Sequence, residues 1–445
     1  MKSAAMSQWT LRLALLAVAG THGQAWSQQA ATGAATAGDP LRISVDAGMG
    51  WTDNITQVAS GGNGESMATA GLRMQGGVHR RRLDAVIDAN LRYLDYLQNT
   101  YSGELTGRLD GSLDLSLVQD RLDWVVEEHY GQTSINLFSV PTPTNRESVN
   151  YLSTGPDVLM AFGDSGFARL FGRYSLVSYE TSPLDNDRRQ VGLQLGRRVS
   201  GASRLSLNVV GERVNYDSAQ STPDYDRGQV YASYEVRAAR TRLQSDLGYT
   251  RISNVAYTNG GVSARLTVTR QVSPFSSLSI EGGRSVTDAS DRFRNPDSGV
   301  NAAATSGSRT ETSVPTADIF VNRYARAAWD FNRGRSGVTF ALSYLNDNYN
   351  GASASDRHRS GADLNLRRQV SRALSLRLVS SYAAEHFRAA NSNYGEWRAG
   401  LGIRVTPGRR GFVDFTADHF DRNADDPSRS YVENRLFLTL GYDFN

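Results

Sequence analysis

The 445-residue chain contains no cysteine, and its only lysine is Lys2. Without cysteine it can form no disulfide, no thiol nucleophile, no thiolate metal site and no lipid-modified N-terminal cysteine. Arginine therefore carries almost all of the positive charge, which comes close to balancing the 45 aspartate and glutamate residues. With 39% hydrophobic and 21% charged residues, composition alone does not distinguish a soluble protein from a membrane protein.

The chain also lacks an apolar run that could span a membrane as a helix, which takes about 20 residues. Its N-terminus instead has the parts of a secretory signal. Lys2 and Arg12 are followed by a short apolar run at residues 13–20 and then by Ala25 and Ser27, small residues at the positions that a signal peptidase reads. We predict a cleaved signal peptide over residues 1–27, a disordered lead-in over residues 28–40 and one domain over residues 41–445.

Apolar and polar residues alternate from residue 41 to the end of the chain, in segments of about ten residues typical of outer-membrane barrel strands. In residues 105–117 every odd position is Leu or Gly, and the even positions are Thr, Arg, Asp or Ser. A soluble β-sandwich also alternates. These strands, however, exceed the usual five or six residues and recur throughout the chain without a domain break.

The connections between the strands alternate between short and long. The short ones include residues 77–81, and the long ones include residues 254–260 and 286–315. Outer-membrane barrels have short periplasmic turns and longer extracellular loops, and both chain ends fall on the short-turn side. We therefore predict an all-β, antiparallel, up-and-down transmembrane barrel of about 18–20 strands. Its expected location is the outer membrane of a Gram-negative bacterium, with lipid around it.

The last strand alternates up to the C-terminus. It resembles the C-terminal signal that the barrel-assembly machinery reads, which usually ends in an aromatic residue. The matching residues are Leu438, Leu440, Tyr442 and Phe444, with Asn445 after the aromatic. The resemblance implies that this machinery is a partner during biogenesis.

The polar faces of the strands predict a lumen of mixed charge. The residues expected to line it are Arg169, Arg173, Arg265, Arg367, Arg377, Arg398, Arg404, Asp84, Asp88, Asp110 and Asp114. In an open lumen they offer guanidinium donors and carboxylate acceptors to a hydrated solute. The alternative is that these charges pair with one another and fill the barrel. The loop over residues 286–315 is also long enough to fold inward.

No motif predicts catalysis or metal binding: the chain has no phosphate-binding loop, no HExxH and no histidine cluster at metal-ligand spacing. We interpret Glu127-Glu128-His129 and Glu385-His386 as lying near strand ends that face the loops, which leaves an enzyme open as an alternative. We expect no enzyme, no cofactor, no metal and no nucleic-acid partner.

The first strand carries the clearest family resemblance. Residues 41–55 combine an alternating strand with the pair Gly50-Trp51 and then Asp53-Asn54. This pattern resembles the opening strand of a family of porin-like outer-membrane barrels associated with exopolysaccharide and exosortase (PEP-CTERM) loci. The resemblance in architecture runs from residue 41 to residue 444.

Some members of that family look like the outer-membrane part of polysaccharide export systems, and they work with a periplasmic polysaccharide-export protein. The resemblance therefore implies an export channel for exopolysaccharide with such a partner, in a barrel of slightly fewer strands than the count here. Two alternatives remain open. One is a general diffusion porin, and the other is a structural or enzymatic barrel with a plugged lumen.

Overall fold

The computed structural model of the protein describes residues 40–218, 223–254, 258–294, 310–311, 316–350, 355–389 and 392–444. The predicted signal peptide over residues 1–27 and all but the last residue of the predicted lead-in lie outside the described residues. In the part of the chain that is described, no helix is long and apolar enough to cross a membrane.

The described residues form long strands and very little helix. In chain order the strands are β1 (Arg42–Thr52), β2 (Glu65–Arg80), β3 (Leu83–Tyr96), β4 (Glu104–Val118), β5 (Leu122–Ser134), β6 (Arg146–Phe162), β7 (Gly166–Tyr179), β8 (Asn186–Arg198), β9 (Ser203–Tyr216), β10 (Tyr225–Arg237), β11 (Thr241–Asn254), β12 (Thr258–Ser273), β13 (Ser276–Thr287), β14 (Thr310–Glu311), β15 (Phe320–Arg333), β16 (Ser336–Tyr349), β17 (Arg357–Gln369), β18 (Leu374–Phe387), β19 (Tyr394–Val405), β20 (Gly411–Ala424) and β21 (Tyr431–Asp443). The helical elements are α1 (Ala289–Arg294) and two 3-10 turns, Pro143–Asn145 and Pro427–Arg429.

All of these strands except β14 form one closed antiparallel ring of 20 strands. Each strand pairs with its neighbours in chain order, with β13 paired directly to β15. The ring closes where β1 pairs with β21, with Ala47 opposite Leu440. Closure leaves no strand edge unpaired, which is a condition for strands inside a bilayer. The predicted up-and-down barrel is confirmed, at the upper end of the expected strand number.

The short strand β14 lies outside this ring. It pairs in parallel with Gln132 and Thr133 of β5, at a level where β5 no longer pairs with β4, because that ladder ends at Leu109 opposite Tyr130. In sequence β14 belongs to the connection between β13 and β15. The described residues 310–311 of this connection therefore lie beside β5, across the ring from β13 and β15.

The outward face of the barrel is apolar and carries aromatic residues near both ends, as expected of a lipid-facing surface. Leu440 and Val191 are among its most exposed apolar side chains. Exposed outward aromatics near the long loops are Trp51, Tyr93, Tyr174, Tyr249, Tyr344, Tyr382 and Trp397. Those near the short turns are Trp124, Phe162, Tyr234, Phe275, Trp329, Phe340, Phe415, Tyr442 and Phe444.

The connections follow the predicted short and long pattern with two corrections. The turn expected at residues 77–81 consists of Arg81 and Arg82, because β2 continues to Arg80 opposite Leu83. The long loop expected at residues 254–260 is short, because β12 already begins at Thr258. In both places the ladder of backbone hydrogen bonds continues through residues that are polar or small. Such residues are common in turns, which is why the sequence predicted a longer connection.

The outward face gives a test of membrane insertion. Leu193 lies at the middle of β8 on this face, whereas Val199 lies in the short turn that follows. We expect Leu193→Arg to lower the free energy of unfolding by about 2–4 kcal/mol, because an arginine near the bilayer midplane loses its hydration. The control Val199→Arg should cost about 0–1 kcal/mol. Urea titration of the protein in lipid vesicles measures both, and equal losses would contradict the assigned orientation.

Candidate functional site

The structure places the predicted lumen residues on the inward face of the barrel. Arg169 and Arg173, for example, alternate along β7 with the exposed outward side chains of Leu170 and Tyr174. The same alternation holds on β3, β4, β12 and β17–β19. Whether these residues line an open pore stays a prediction.

Five of the seven predicted arginines bind a carboxylate, which matches the salt-bridged alternative for this part of the wall. The pairs are Arg169 and Arg173 with Asp157, Arg265 with Asp246, Arg398 with Asp418, and Arg404 with Asp414. The Arg404–Asp414 separation, for example, is 2.6 Å. Sequence reasoning missed Asp157 and Asp418 as lumen residues. Both lie at inward positions of alternating strands, so the alternation itself could have found them.

Arg367 and Arg377 differ from the other predicted arginines. They lie directly opposite each other on β17 and β18, and like charges in that position repel. Among the described residues neither guanidinium has a carboxylate partner, and the same is true of Arg73 on β2. These three residues form what we call the arginine wall. β17 and β18 are joined by the short turn at residues 370–373, and folding the two strands about this turn places Arg367 and Arg377 together.

The predicted aspartates form an acidic wall on β3 and β4. Asp84 lies directly opposite Asp114, and Asp88 lies directly opposite Asp110. Three of these four carboxylates have a basic partner: Arg108 pairs with Asp110 and Asp88, His129 approaches Asp110 to 2.8 Å, and His79 binds Asp84. Asp114 has no hydrogen-bond or ion-pair partner among the described residues. Both walls lie in the half of the barrel nearer the short turns. The acidic wall is largely paired with basic side chains, whereas the three guanidinium groups of the arginine wall have no carboxylate partner among the described residues.

A cavity of about 580 Å³ runs along β2–β4 and β16–β21 inside the barrel. The arginine wall contributes Arg73, Arg367 and Arg377 to its lining, and the ion pairs of Arg398 and Arg404 lie beside them. Water and small hydrated solutes fit a space of this size, because one water takes about 30 Å³ of liquid volume. The arginine wall therefore faces space that a solute can enter.

The first residues after β13 turn into the lumen on another side of the ring, β6–β10. Asp288 accepts hydrogen bonds from Arg188 and from the hydroxyl of Tyr225. Asp291 in α1 accepts one from Arg227 at 2.8 Å. Burial raises the pKa of Asp291, but the nearby guanidinium of Arg227 outweighs it and holds the pKa well below its usual range. Asp291 is therefore a permanent anion at neutral pH.

Apolar and charged contacts complete the attachment of α1. Phe293 packs into a buried cluster with Val149, Tyr151 and Tyr179. On the side of β16, Arg292 binds Asp347 at 2.6 Å. The loop predicted to be long enough to fold inward does so over residues 288–294, the part of it next to β13 that is described.

A fully buried ion network continues from this contact around the wall. Arg357 binds both Asp347, at 3.0 Å, and Glu385. All three side chains have no exposed surface. Tyr394 donates a hydrogen bond to Glu385 at 2.8 Å. Charges buried to this degree are stable only as a complete set of partners.

This network was not predicted from the sequence. Glu385 does lie near a strand end that faces the loops, as interpreted from the sequence, but its burial and its ion pairs were not predicted. Asp347 on β16 and Glu385 on β18 each lie at an inward position two residues before the end of the strand, where alternation continues further than the polar composition suggests. The interpretation of Glu127-Glu128-His129 as lying near a strand end was wrong, because these residues are at the middle of β5 (Leu122–Ser134). Among the described residues no group of three His, Asp or Glu side chains is placed to hold a metal ion.

Comparison with known proteins gives structural similarity without sequence similarity. No family model matches the chain, and no curated protein matches it. Similar solved structures include the siderophore receptor PirA of Pseudomonas aeruginosa, with 12% identity and a TM-score of 0.44 over 92% of this chain and 80% of that one. Another is the FrpB iron transporter of Neisseria meningitidis, with 10% identity and a TM-score of 0.43 over 92% and 82%.

A third is a variant of the ferric enterobactin receptor PfeA of P. aeruginosa, with 9% identity and a TM-score of 0.47 over 92% and 81%. At such low identity the similarity concerns the barrel fold alone.

The buried network gives a prediction about stability. We expect Arg357→Met to lower the free energy of unfolding by about 3–5 kcal/mol, because it leaves two buried carboxylates without their shared partner. Arg388→Met is the matched control, because Arg388 pairs with Asp356 while 70% exposed. It should cost about 0–1 kcal/mol. Urea titration in detergent micelles measures both, and similar losses would mean that the buried network is not essential to the barrel.

The attachment of α1 gives a second prediction, about conductance. The double variant Asp288→Ala/Asp291→Ala removes the carboxylates that bind Arg188, Arg227 and Tyr225, so α1 should leave the wall. In planar bilayers we expect larger fluctuations of the single-channel current than in the wild type. Asp330→Ala is the control, because Asp330 accepts a hydrogen bond from Thr339 and does not touch α1. Unchanged current noise in the double variant would show that α1 does not border the conducting path.

Proposed function

We propose that the protein is an outer-membrane channel for hydrated anionic solutes, and that its cargo is an exported, negatively charged polysaccharide. The observation that carries the proposal is the arginine wall of Arg73, Arg367 and Arg377, whose positive charge faces the cavity without a carboxylate partner among the described residues. The resemblance of the first strand to barrels of exopolysaccharide loci supports the choice of cargo.

Electrostatics favours an anion at this wall. Arg367 and Arg377 repel each other across β17 and β18, and an anion between them removes that repulsion. Guanidinium groups bind carboxylates and phosphates through parallel hydrogen bonds, and the weak hydration of guanidinium makes this exchange of partners inexpensive. A carboxylate-bearing or phosphate-bearing sugar therefore gains contacts here that a neutral sugar of the same size does not.

Sugar chains also fit the rest of the lining. The cavity wall carries hydroxyl and aromatic side chains, among them Ser381, Thr416, Thr439 and Phe437, beside the arginines. The hydroxyl groups of the wall can form hydrogen bonds with sugar hydroxyls, and the flat ring of Phe437 can pack against a sugar ring. Partial, replaceable contacts of this kind allow a solute to enter and to leave.

The inward loop narrows the lumen on the side of β6–β10 and leaves the arginine wall uncovered by α1. A solute that crosses the barrel thus passes the cavity along β2–β4 and β16–β21. A periplasmic polysaccharide-export protein, the partner that the family resemblance implies, would deliver the chain to the end of the barrel with the short turns. No catalytic role is proposed for any residue.

Ion selectivity tests the role of the arginine wall. We expect the wild-type channel to prefer chloride over potassium, and Arg367→Ser/Arg377→Ser to reduce that preference by about tenfold, because like charges in a confined cleft concentrate counter-ions. Asp246→Asn/Arg265→Gln is the control, since it removes one paired positive and one paired negative charge from the lumen. Reversal potentials in a salt gradient give the ratios. Equal ratios in the wild type and the double variant would refute the assigned anion path.

Deletion of the gene tests the cargo separately. Export predicts loss of cell-surface polysaccharide while uptake of small solutes stays the same. The diffusion porin predicts the reverse, and that result would overturn the polysaccharide proposal. Complementation with Arg367→Ser/Arg377→Ser should restore less surface polysaccharide than complementation with Asp246→Asn/Arg265→Gln.

A further inference from the structure

The outer surface of the barrel carries three exposed arginines at the loop ends of neighbouring strands. Arg189 on β8 lies directly opposite Arg213 on β9, and their side chains are 67% and 57% exposed. Arg251 on β11 lies at the same end of the barrel, opposite Gly228 on β10. We call these three residues the outer arginine patch. They are unrelated to the lumen, because all three point away from it.

A shallow recess lies between these arginines. Its floor is formed by Gly211 and Gly228, which are directly opposite each other on β9 and β10. A Cβ atom added to either glycine would have no atom of the described residues within 4 Å, apart from those of the glycine itself and its two chain neighbours. The recess measures about 460 Å³, and Val191 and all three arginines line it. The chain therefore leaves room for a polar group between the guanidinium groups.

The charges of the patch are only partly balanced by the protein itself. Asp187 lies 3.3 Å from Arg189, and Asp226, which is 61% exposed, lies 3.5 Å from Arg213. Both separations exceed the roughly 2.7–2.9 Å of a strong charge-assisted hydrogen bond. Arg251 has no ion pair within the described part of the chain. Guanidinium donors in the recess thus remain for an external anion.

The position of the patch along the barrel axis shows which layer of the membrane surrounds it. Tyr174, an outward aromatic of the loop-side girdle, lies directly opposite Arg189. Tyr249 of the same girdle is the next outward residue below Arg251. Aromatic girdles mark the boundary between hydrocarbon and headgroups. The patch therefore lies at the headgroup level of the extracellular leaflet, which in Gram-negative bacteria consists of lipopolysaccharide.

From this combination we infer that the outer arginine patch binds a phosphate group of lipid A, the phosphorylated glycolipid of that leaflet. The planar guanidinium groups of Arg189, Arg213 and Arg251 donate to the phosphate oxygens, as arginine does at many phosphate sites. The sugar that carries the phosphate lies over Gly211 and Gly228, and the acyl chains follow the apolar surface below. This site does not depend on the proposed transport function.

The test uses the full mature protein in detergent micelles and lipid A with two phosphates as the probe. Native mass spectrometry measures the bound fraction across a titration. We expect Arg189→Ser/Arg213→Ser/Arg251→Ser to bind about a hundredfold more weakly than the wild type, because each arginine near an anionic membrane surface contributes about a factor of five. Fully dephosphorylated lipid A should bind the wild type as weakly as two-phosphate lipid A binds the triple variant.

The matched control is Arg197→Ser/Arg270→Ser/Arg368→Ser, which removes three exposed arginines from the end of the barrel with the short turns. It should bind two-phosphate lipid A like the wild type. Heat-modifiable migration on a denaturing gel confirms that each variant is folded. Equal binding by the two triple variants would overturn the site. Competition by inorganic phosphate at the same concentration as lipid A would overturn the lipid as the source of the phosphate.

Discussion

The whole structure depends on one constraint: every backbone amide and carbonyl group inside the bilayer needs a hydrogen-bond partner in the protein, because lipid offers none. Strands satisfy this only as a closed ring, and here the ring closes between β1 and β21. Closure then separates the two sides of every strand. One side meets lipid and is apolar, and the other meets water, so charged residues collect in the lumen.

The charged side chains of the lumen are arranged in two different ways. Near the long loops, guanidinium and carboxylate groups of opposite charge form buried networks, such as Arg357 with Asp347 and Glu385, and Arg292 joins α1 to this network through Asp347. Near the short turns, ion pairs such as Arg404 with Asp414 stand beside like charges that lie opposite each other, as Arg367 and Arg377 do, and neither of these two has a carboxylate partner among the described residues. The first arrangement adds rigidity, whereas the second leaves charge available to a solute.

Much of this could be predicted from the sequence, because alternation along a strand is a local property. The alternation assigned Arg398 and Arg404 to the inward face and Leu438 and Leu440 to the outward face. Register across a turn is less local, so the pairing of Arg398 with Asp418 was missed, although the turn lengths contain the information. The docking of Asp288 onto Arg188 joins residues 100 positions apart, and no local pattern specifies such a contact.

The central claim is that the lumen is an anion path, and the reversal potential of the purified wild-type protein in a planar bilayer tests it most directly. With a potassium chloride gradient across the bilayer, we expect discrete channel openings and a reversal potential that is shifted from zero towards the equilibrium potential of chloride. A reversal potential shifted towards the equilibrium potential of potassium, or a barrel that stays closed to ions, would contradict the anion path.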